Sequence, residues 1–441
     1  METIIRMVNE INLKNKTVAI VGGGITGLAI GYYLTKQGFK VKIIEKNKEI
    51  GGLIRTVDIF GTPLEEYYHH FFLSDKELNL LLTELKLDHL VIKKETKMGV
   101  YYNNQILPFS TPLDLLRFSP LSLSDRIKQG MMVLYFKYKK NWKKLETISS
   151  KEWLIKNTGE FGYKVLWEPL LKTKFGQYYE DIPASWLWGR IHPRSKSREG
   201  GKEKLHYIKG SFKVLSQRLL EEVCSKGGEL VLKEIKSIST TNKEIEYTDS
   251  EKETFDSIVL TLPNPVIQKM FNNIKELDYL SPIKYQAIIC AILQLKEPLS
   301  DYYWINNADP EIKFGGVIEH TNFIDKENYN RRSMVYLFNY IDSADIFYTA
   351  SEEEIKKRYL QDLKKIFPSF SLKNLESFHL SRGNYATPVY NGKYSQKIPP
   401  FNTPFSGIFI ANTSQIYPED RNVSNSIALA KKLVTKIVAN S

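Results

Sequence analysis

Residues 65–72 read EEYYHHFF, so this stretch doubles an acid, a phenol, an imidazole and a phenyl group. Histidine exchanges protons near neutral pH, and aromatic rings stack on flat ligands. If the stretch is an extended strand, successive side chains face opposite sides, so only one of His69 and His70 can look toward any one site. Two interpretations follow. The stretch is either a half-buried structural strand or an active-site strand in which one histidine accepts or donates a substrate proton.

A glycine-rich turn precedes this stretch. Residues 18–21 predict a buried parallel strand that runs into Gly22, Gly24 and Gly27 with GxGxxG spacing, and an apolar helical pattern follows. A second predicted strand ends at Glu45, about twenty residues after the glycines, where a carboxylate can bind the two ribose hydroxyls. Bare glycine backbone lets a pyrophosphate approach the positive end of the helix. Together these features predict a dinucleotide site.

The residues after Glu45 read KNKEIGGLIRT, and here the chain resembles the flavin-containing amine oxidase superfamily. That group includes protoporphyrinogen oxidases, phytoene desaturases and, more remotely, UDP-galactopyranose mutases. Its members mark FAD with an acid, a short spacer, a Gly-Gly pair and an arginine, whose guanidinium suits the path from pyrophosphate to ribityl chain. The resemblance implies FAD as the cofactor, held at this end of the chain by Gly22, Gly24, Ile25, Thr26, Gly27, Glu45, Lys46, Gly51, Gly52, Leu53 and Arg55.

The resemblance covers most of the 441 residues, a length that suits two or three domains. It implies an α/β fold with an α+β substrate part: a Rossmann-like FAD-binding domain of the glutathione-reductase-2 type with an inserted, discontinuous substrate domain. We expect the FAD-binding domain in residues 1–79, 206–265 and 386–441. The helical part of the substrate domain is expected in residues 80–205 and its sheet-rich part in residues 266–385.

Later segments supply further cofactor contacts by resemblance. Residues 207–238 look like the return to the FAD domain, which implies that Ile235 lies near the adenine. Asn412 and Thr413 stand where relatives carry a glycine and an acid that contact the ribityl chain or the pyrophosphate. Ser424 or Asn425 is expected to cap the last helix and to aim its positive end at the N1–C2=O edge of the flavin.

The candidate catalytic residues are His69, His70, Tyr385 and Tyr390. The mutases carry a short histidine stretch near the flavin, similar to that at residues 67–72. The two tyrosines lie in YATPVYNGKY, which resembles an aromatic segment over the flavin in protoporphyrinogen oxidase-like enzymes. Amine oxidases proper place a lysine where this chain has Cys290, and Lys284 falls on an unaligned turn. That departure argues against simple amine oxidation.

Three function classes remain open. The first is an FAD-dependent oxidoreductase that moves hydride from a substrate carbon to flavin N5. The second is a non-redox mutase that uses reduced FAD on a nucleotide sugar, and the third is a non-catalytic flavin-binding or polyprenyl-binding accessory at a membrane surface. The expected partner is a small-molecule substrate, either phosphorylated, polyprenyl or a nucleotide sugar. Residues 189–207 hold six basic side chains and form either a solvated loop or a rim that binds phosphate: Arg190, Arg194, Lys196, Arg198, Lys202 and Lys204.

The composition of the chain limits the classes of partner and the cellular location that we expect. Sixty-two Lys and Arg against 50 Asp and Glu give a net charge of +12, which suits anionic substrates, nucleotide cofactors or an acidic membrane surface. We expect no nucleic-acid partner, because the basic residues are spread along the chain and no zinc-finger spacing occurs; no metal site is predicted. Two cysteines indicate a reducing cytoplasm. No run of eighteen apolar residues is present, but residues 131–144 suit either an ordinary packed helix or a peripheral helix at the inner membrane surface.

Overall fold

The structure is a computed structural model that describes residues 16–59, 61–195, 197–199 and 202–439. In chain order its strands are β1 (Thr17–Val21), β2 (Lys40–Glu45), β3 (Thr56–Ile59), β4 (Thr62–Glu65), β5 (Phe71–Phe72), β6 (Val91–Glu95), β7 (Met98–Tyr102), β8 (Gln105–Pro108), β9 (Arg198–Glu199), β10 (Lys202–Ile208), β11 (Glu229–Leu232), β12 (Ile235–Ile238), β13 (Glu244–Tyr247), β14 (Lys252–Thr254), β15 (Ser257–Leu260), β16 (Tyr285–Leu295), β17 (Trp304–Asn307), β18 (Gly316–Glu319), β19 (Ser333–Ile341), β20 (Leu375–Pro388) and β21 (Ile408–Ile410).

The α-helices, again in chain order, are α1 (Ile25–Lys36), α2 (Lys76–Glu84), α3 (Pro112–Arg117), α4 (Leu123–Tyr138), α5 (Ser150–Thr158), α6 (Glu160–Gly162), α7 (Glu168–Phe175), α8 (Ala184–Arg194), α9 (Lys213–Ser225), α10 (Asn264–Met270), α11 (Ile346–Thr349), α12 (Glu352–Ile366) and α13 (Val423–Ala439). A π-helical turn, Tyr163–Trp167, joins α6 to α7.

A five-stranded parallel sheet carries the glycine turn. Its strand order is β11-β2-β1-β15-β21, and the strands come from three separate parts of the chain. The short runs of β-branched residues in β1 and β15 are almost wholly buried, as expected for strands covered on both faces. Helices α1, α9 and α13 pack on one face, and the three-stranded sheet β12–β14 with α10 covers the other. The carboxyl ends of β1 and β2 therefore meet at one edge, which is where ligands bind in this kind of sheet.

A second, seven-stranded sheet has the order β20-β16-β19-β18-β17-β7-β8. Its central strand β16 is buried along nearly its whole length, with β19 and β20 antiparallel on either side. Helix α12 packs on one face, and residues around the EEYYHHFF stretch pack on the other. The fold class predicted from the sequence is confirmed: a Rossmann-like parallel sheet beside a separate substrate-binding sheet.

Helices α3–α8 form a layer with its own aromatic core, which includes Phe136, Trp153 and Trp186. All six lie within residues 80–205, the stretch expected to be helical. The same stretch also supplies β7 and β8 to the seven-stranded sheet, so the helical layer is tied directly to that sheet. The predicted domain boundaries stay predictions.

Candidate functional site

The glycine turn after β1 is held in a shape that needs glycine at two positions. Gly22 has φ +112°, a conformation that side chains strongly disfavour. A Cβ on Gly27 would lie 2.0 Å from the carbonyl oxygen of Gly22, so only glycine lets α1 pack this closely against the turn. The predicted strand, turn and helix are thus present in the predicted order.

The N-terminus of α1 has the features of a phosphate site. Gly24 precedes the helix, makes no side-chain cap and is followed by no acid in the first turn, which Ile25 and Thr26 begin. A Cβ on Gly24 would meet no protein atom closer than 3.7 Å, so nothing in the protein itself requires glycine there. The uncapped first-turn amides and the helix dipole suit an anion such as pyrophosphate.

The second glycine pair lies directly against the first turn. The Gly51 amide donates to the Gly23 carbonyl at 2.8 Å, and Gly24 and Gly51 form an isolated parallel bridge. Gly51 and Gly52 both have positive φ, at 113° and 62°. Two bare backbone segments therefore form one surface, as the resemblance implied for FAD.

Glu45 closes the turn from the end of β2. Its Oε2 accepts the Gly23 amide at 2.8 Å and its Oε1 accepts the Asn47 amide at 2.9 Å. Strand pairing places Leu232 beside Glu45, and the buried Ile235 follows three residues later, where it begins β12 of the three-stranded sheet. Lys46, next to Glu45, lies 3.9 Å from a Glu234 carboxylate oxygen. The ribose and adenine contacts of these residues stay predictions.

Arg55 links the glycine pair to the EEYYHHFF stretch. Its Nη2 lies 2.7 Å from Oε2 of Glu66, and this hydrogen bond raises the pKa of the guanidinium. Leu53 lies in the intervening turn, Gly52–Ile54, and lines the large cavity described below. One acid of the doubled motif thus positions the arginine predicted to bind the cofactor.

The C-terminal motif is built differently from the sequence prediction. The Asn412 side chain donates to the Leu262 carbonyl at 2.7 Å and accepts from the Ser414 amide at 3.0 Å, so it braces the turn that begins at Thr413. Asn422, and not Ser424 or Asn425, caps α13: its Oδ1 accepts the Asn425 amide at 2.8 Å.

Ser424 serves a neighbouring helix. Its hydroxyl accepts the Glu77 and Leu78 amides in the first turn of α2, at 3.1 and 3.2 Å. The cap prediction was wrong because this partner comes from the other end of the chain. The cofactor roles of Asn412, Thr413 and Asn425 stay predictions.

The EEYYHHFF stretch is not one extended strand. Strand β4 ends at Glu65, the chain bends, and pairing resumes only at β5. The Glu65 carboxylate is fully buried and accepts the Tyr207 hydroxyl and the Phe212 amide, both at 2.6 Å, while its carbonyl accepts the Tyr336 hydroxyl. Burial raises the pKa of Glu65 to about 7. This anchor bends the chain where the sequence pattern suggested a continuous strand.

As a consequence, His69 and His70 line the same cavity, and the expectation that they face opposite sides was wrong. His69 Nδ1–H donates to the Tyr67 carbonyl at 2.6 Å, which leaves Nε2 as a proton acceptor. His70 Nδ1 lies 3.1 Å from the Tyr303 hydroxyl. Burial lowers the pKa of His69 to about 4 and that of His70 to about 3, so both imidazoles are neutral at neutral pH.

That cavity has a volume of about 730 Å³ and runs between the helical layer and the seven-stranded sheet. Apolar side chains from α3, α4 and α7 line much of it, and Trp304 and Phe338 line its sheet side. It also reaches Leu53 and Asn422, which flank the two predicted cofactor segments. A cavity of this size and lining suits a drug-sized organic molecule.

Four cations that the sequence reasoning did not assign to one place gather at this cavity. Lys174 of α7, Arg190 and Arg194 of α8, and Arg421 all line it, with Asp420 among them. The Arg190 and Arg194 guanidinium nitrogens lie 3.8 and 3.9 Å from Oδ2 of Asp420. Four positive groups around one carboxylate leave an excess of positive charge inside the protein. We call these five residues the cation cluster.

Charges within the cluster act on one another. Burial lowers the pKa of Lys174, and burial together with Arg194 lowers that of Arg190 to about 10, so the arginine stays charged. Burial alone would raise the pKa of Asp420, but Arg190, Lys174 and Arg194 hold it below its ordinary value. A second anion bound here would relieve the repulsion among the cations.

Tyr340 is the tyrosine closest to the cluster. Arg421 Nη2 donates to its hydroxyl at 3.2 Å, the Tyr68 hydroxyl lies 3.3 Å away, and Lys174 Nζ sits 5.0 Å from its ring centre. Burial would raise the pKa of Tyr340, yet Lys174 and Arg421 hold it below its ordinary value of 10. Among the tyrosines that line the cavity, Tyr340 therefore has the most acidic hydroxyl, because the pKa values of Tyr67 and Tyr68 are raised by burial.

The other predicted catalytic residues lie elsewhere. Tyr385 packs its ring on Tyr285 at 5.5 Å, and Tyr390 is buried against Tyr394 and Tyr417. Within the described part of the chain, neither tyrosine is among the cavity-lining residues. Their catalytic roles stay predictions.

Sequence reasoning grouped only two of the cluster's cations, Arg190 and Arg194, in the basic segment 189–207. Lys196 of that segment, and the side chains of Arg198 and Lys202, lie outside the described residues. Arg421 had a usable signal, because it directly precedes Asn422 in the C-terminal motif. No feature of the sequence marked Lys174 or Tyr340 as a site residue, since each is a single polar residue within the apolar pattern of a helix or a strand.

Comparison with known proteins gives relatives that share most of the chain. A 1-hydroxycarotenoid 3,4-desaturase from Flavobacterium sp. is 26% identical over 341 residues, which cover 70% of this chain and 67% of the desaturase. Coproporphyrinogen III oxidase from Bacillus subtilis is 24% identical over 321 residues, covering 64% of this chain and 67% of that oxidase.

Solved structures show the same fold. A putative protoporphyrinogen oxidase from Exiguobacterium sp. 255-15 superimposes with a TM-score of 0.76 at 17% identity, covering 97% of this chain and 99% of that one. Reduced UDP-galactopyranose mutase gives a TM-score of 0.76 at 14% identity, covering 97% and 94%.

The sequence model for flavin-containing amine oxidoreductases matches residues 25–419. That match begins at the helix of the glycine turn, passes through the Gly-Gly-Arg segment and the histidine stretch, and ends beside the cation cluster. FAD is the cofactor of such proteins, and the uncapped start of α1 with the paired glycine segments fits its pyrophosphate. The chain belongs to the flavin-containing amine oxidoreductase family and takes FAD as its cofactor.

Proposed function

We propose that the protein removes hydride from a carbon of a small organic substrate and passes it to N5 of FAD, which is a dehydrogenation or desaturation. The observation that carries this proposal is the cavity between the helical layer and the seven-stranded sheet, which reaches Leu53 beside the Gly51-Gly52 pair and has two neutral histidines in its wall. FAD, when bound, supplies the hydride acceptor. Gly24, Glu45, Arg55 and Thr413 are proposed to hold it.

Loss of hydride takes two electrons from the substrate, and formation of a double bond then requires loss of a proton from the neighbouring atom. His69 is suited to accept that proton, because its Nδ1–H is already committed to the Tyr67 carbonyl. Deep burial keeps the ring neutral and its Nε2 free of a proton. Tyr340 is an alternative acceptor once ionised, since Lys174 and Arg421 stabilise its phenolate.

Cys290 supports desaturation over amine oxidation. It lies buried on β16, and burial raises the pKa of its thiol, so it is neutral. A neutral thiol buried in the apolar core cannot replace the water-holding lysine that the family resemblance implies for amine oxidases. The substrate carbon is therefore proposed to be an ordinary C–H centre and not the α-carbon of an amine.

The cation cluster narrows the substrate further. Lys174, Arg190, Arg194 and Arg421 are suited to a carboxylate or a phosphate, and the rest of the cavity is largely apolar. We therefore propose a substrate with a hydrophobic body and an anionic group. Porphyrinogens, which bear carboxylates, and prenyl phosphates have this form. An uncharged carotenoid does not.

The mutase alternative uses the same cluster differently. The diphosphate of a nucleotide sugar would also bind four cations, and a mutase would require flavin that is already reduced. The fold similarity to the mutase does not separate the two schemes, because at 14% identity it shows the fold alone. The direction of electron flow does separate them.

The experiment is anaerobic mixing of oxidised holoenzyme with coproporphyrinogen III, with its methyl ester, with a 1-hydroxycarotenoid and with putrescine. We expect the porphyrinogen acid to bleach the visible flavin absorbance and the ester to do so at least roughly tenfold more slowly, because the ester lacks the charge. Lys174→Met should reduce the difference between acid and ester, because it removes one of the four cations. If flavin stays oxidised with every compound, and dithionite-reduced enzyme converts UDP-galactopyranose to an isomer, the redox proposal is refuted.

We further propose that the enzyme works in peripheral contact with a membrane. None of the helices in the described part of the chain has the length and apolarity that a bilayer crossing needs. Contact of this kind would come from a surface helix, and the candidate segment 131–144 falls on α4 and the loop after it.

A further inference from the structure

Helix α4 is apolar on two opposite sides. Gln129, Met132 and Phe136 face the protein and are buried. On the other side, Leu123 and Tyr138 at the two ends of the helix are 64% and 71% exposed, and Ile127, Met131 and Leu134 are exposed between them. The spacing i, i+4, i+8, i+11, i+15 aligns these five side chains in one stripe along the helix.

The stripe continues onto the preceding helix. Leu113 and Leu116 of α3 are also about half exposed. Of the fourteen large apolar side chains that are exposed in the described part of the chain, eight fall between residues 113 and 138. Single exposed apolar residues are normal, but such a concentration marks an interaction surface. We call the exposed side of α3 and α4 the apolar stripe.

Basic residues border the apolar stripe at its C-terminal end. Residues 126–145 contain seven Lys or Arg and no Asp or Glu. Lys137 and Lys139 lie over the rings of Tyr138 and Tyr135, at 5.5 and 5.3 Å from the ring centres. Lys143 and Lys144 follow on the surface. An apolar stripe edged by lysines complements an anionic lipid surface, where the stripe enters the acyl boundary and the ammonium groups meet phosphates.

The cavity opens beside the apolar stripe. Helices α3 and α4 line it with Leu115, Gly130, Val133 and Lys137. Leu134 belongs to both surfaces, because it lines the cavity and is 53% exposed. At Leu134, therefore, the wall of the cavity meets the apolar stripe.

We propose that the apolar stripe rests on an anionic phospholipid bilayer, so that the cavity opens toward lipid and takes its hydrophobic substrate from the membrane. The proposed membrane contact is inferred only from the exposure of the apolar side chains and from the basic residues beside them. Only the passage of substrate rests on the function proposed above. A bilayer is the occupant we commit to because the stripe is basic at its C-terminal end, where residues 126–145 carry no Asp or Glu, and this charge would repel a second copy of the same surface.

The experiment is co-sedimentation of full-length holoenzyme with vesicles of phosphatidylcholine alone or mixed with phosphatidylglycerol. We expect binding to the mixed vesicles, weakened by salt, and little binding to phosphatidylcholine alone. The double variant Ile127→Ser/Met131→Ser should bind roughly tenfold or more weakly, since two side chains no longer enter the bilayer. Neither residue lines the cavity, so its flavin content and its unfolding temperature should match the wild type.

Matched controls are available. Ile346→Ser and Leu372→Ser remove apolar side chains that are more exposed than Ile127 and Met131, 82% and 66% against 49% and 56%, from other parts of the surface, and both variants should bind vesicles like the wild type. Lys143→Ser/Lys144→Ser should reduce binding to the anionic vesicles on the order of tenfold, with little effect on phosphatidylcholine.

Two results would overturn the proposal: no sedimentation of wild type with anionic vesicles at low salt, or equal binding by wild type and Ile127→Ser/Met131→Ser. A wild type that dimerises in light scattering but ignores vesicles would assign the apolar stripe to a second copy instead. Because no turnover is measured, failure of the flavin-bleaching experiment would leave this result unaffected.

Discussion

Glu65→Gln should remove a pH dependence from the stability of the folded protein. The carboxyl of Glu65 is fully buried, accepts hydrogen bonds from Tyr207 and Phe212, and has its pKa raised by burial to about 7. Glutamine keeps the volume and can still accept the Phe212 amide. The substitution therefore removes the titration and leaves the packing nearly unchanged.

The sign follows from the raised pKa. In the unfolded chain this carboxyl titrates near 4.5, so between about pH 4.5 and pH 7 folding takes up one proton. The stabilisation is fully present below the lower value and is lost as pH rises through the upper one. From about pH 5 to about pH 8 the loss amounts to roughly 2.5 kcal/mol, at 1.36 kcal/mol for each unit of pKa difference.

The assay is urea unfolding of wild type and Glu65→Gln at about pH 5 and about pH 8. The stability difference between the two proteins should change by roughly 2.5 kcal/mol between the two pH values. Glu319, also buried with its pKa raised to about 7, contributes equally to both proteins and cancels. The control is Glu160→Gln, an exposed carboxyl whose pKa is lowered by Lys164, so any effect has the opposite sign. Identical pH dependence in wild type and Glu65→Gln would refute the reasoning.

Two further predictions test the cofactor and catalytic residues. Gly24→Val should yield a colourless protein of normal unfolding free energy that titrates poorly with FAD, because its Cβ meets no protein atom closer than 3.7 Å but lies at the helix start. Gly27→Ala should instead destabilise the fold itself, through a contact of 2.0 Å with the Gly22 carbonyl, and equal unfolding of the two variants would contradict this. The pKa values of His69 and His70 are lowered to about 4 and 3, so neither histidine should titrate near pH 6.5. The pH profiles of kcat/KM for wild type and His70→Gln should therefore have the same shape around pH 6.5, and an inflection there that is lost in His70→Gln would contradict this prediction.

The local parts of the site could be predicted from the sequence. The glycine turn, Glu45 and the Gly51-Gly52-Arg55 segment lie within about forty residues, and each depends on short-range sterics or on the end of one strand. The structure places them where that reasoning put them. The fold class followed from the same segments, because a βαβ unit with this turn admits few architectures.

Prediction failed where a residue's partner lies far away in the chain. The EEYYHHFF stretch reads as a strand, yet Glu65 bonds to Tyr207 and Phe212, 142 and 147 residues later, and the chain bends there. The helix cap was misassigned for the same reason, since Ser424 binds the Glu77 amide from the opposite end of the chain. Local periodicity carries no information about such bonds.

By itself, then, the sequence determined the class of the cofactor, a dinucleotide, and the glycine segments that are proposed to receive it. It could do so because the shape of a glycine turn depends on contacts between residues close together in the chain. Only the tertiary structure decided which side chains line the cavity. Lys174, Arg190, Arg194 and Arg421 come from two helices and a distant loop, and they become one binding surface only when the helical layer packs against the seven-stranded sheet. Their mutual repulsion is held inside the protein by that packing, which is the physical reason for proposing an anionic substrate.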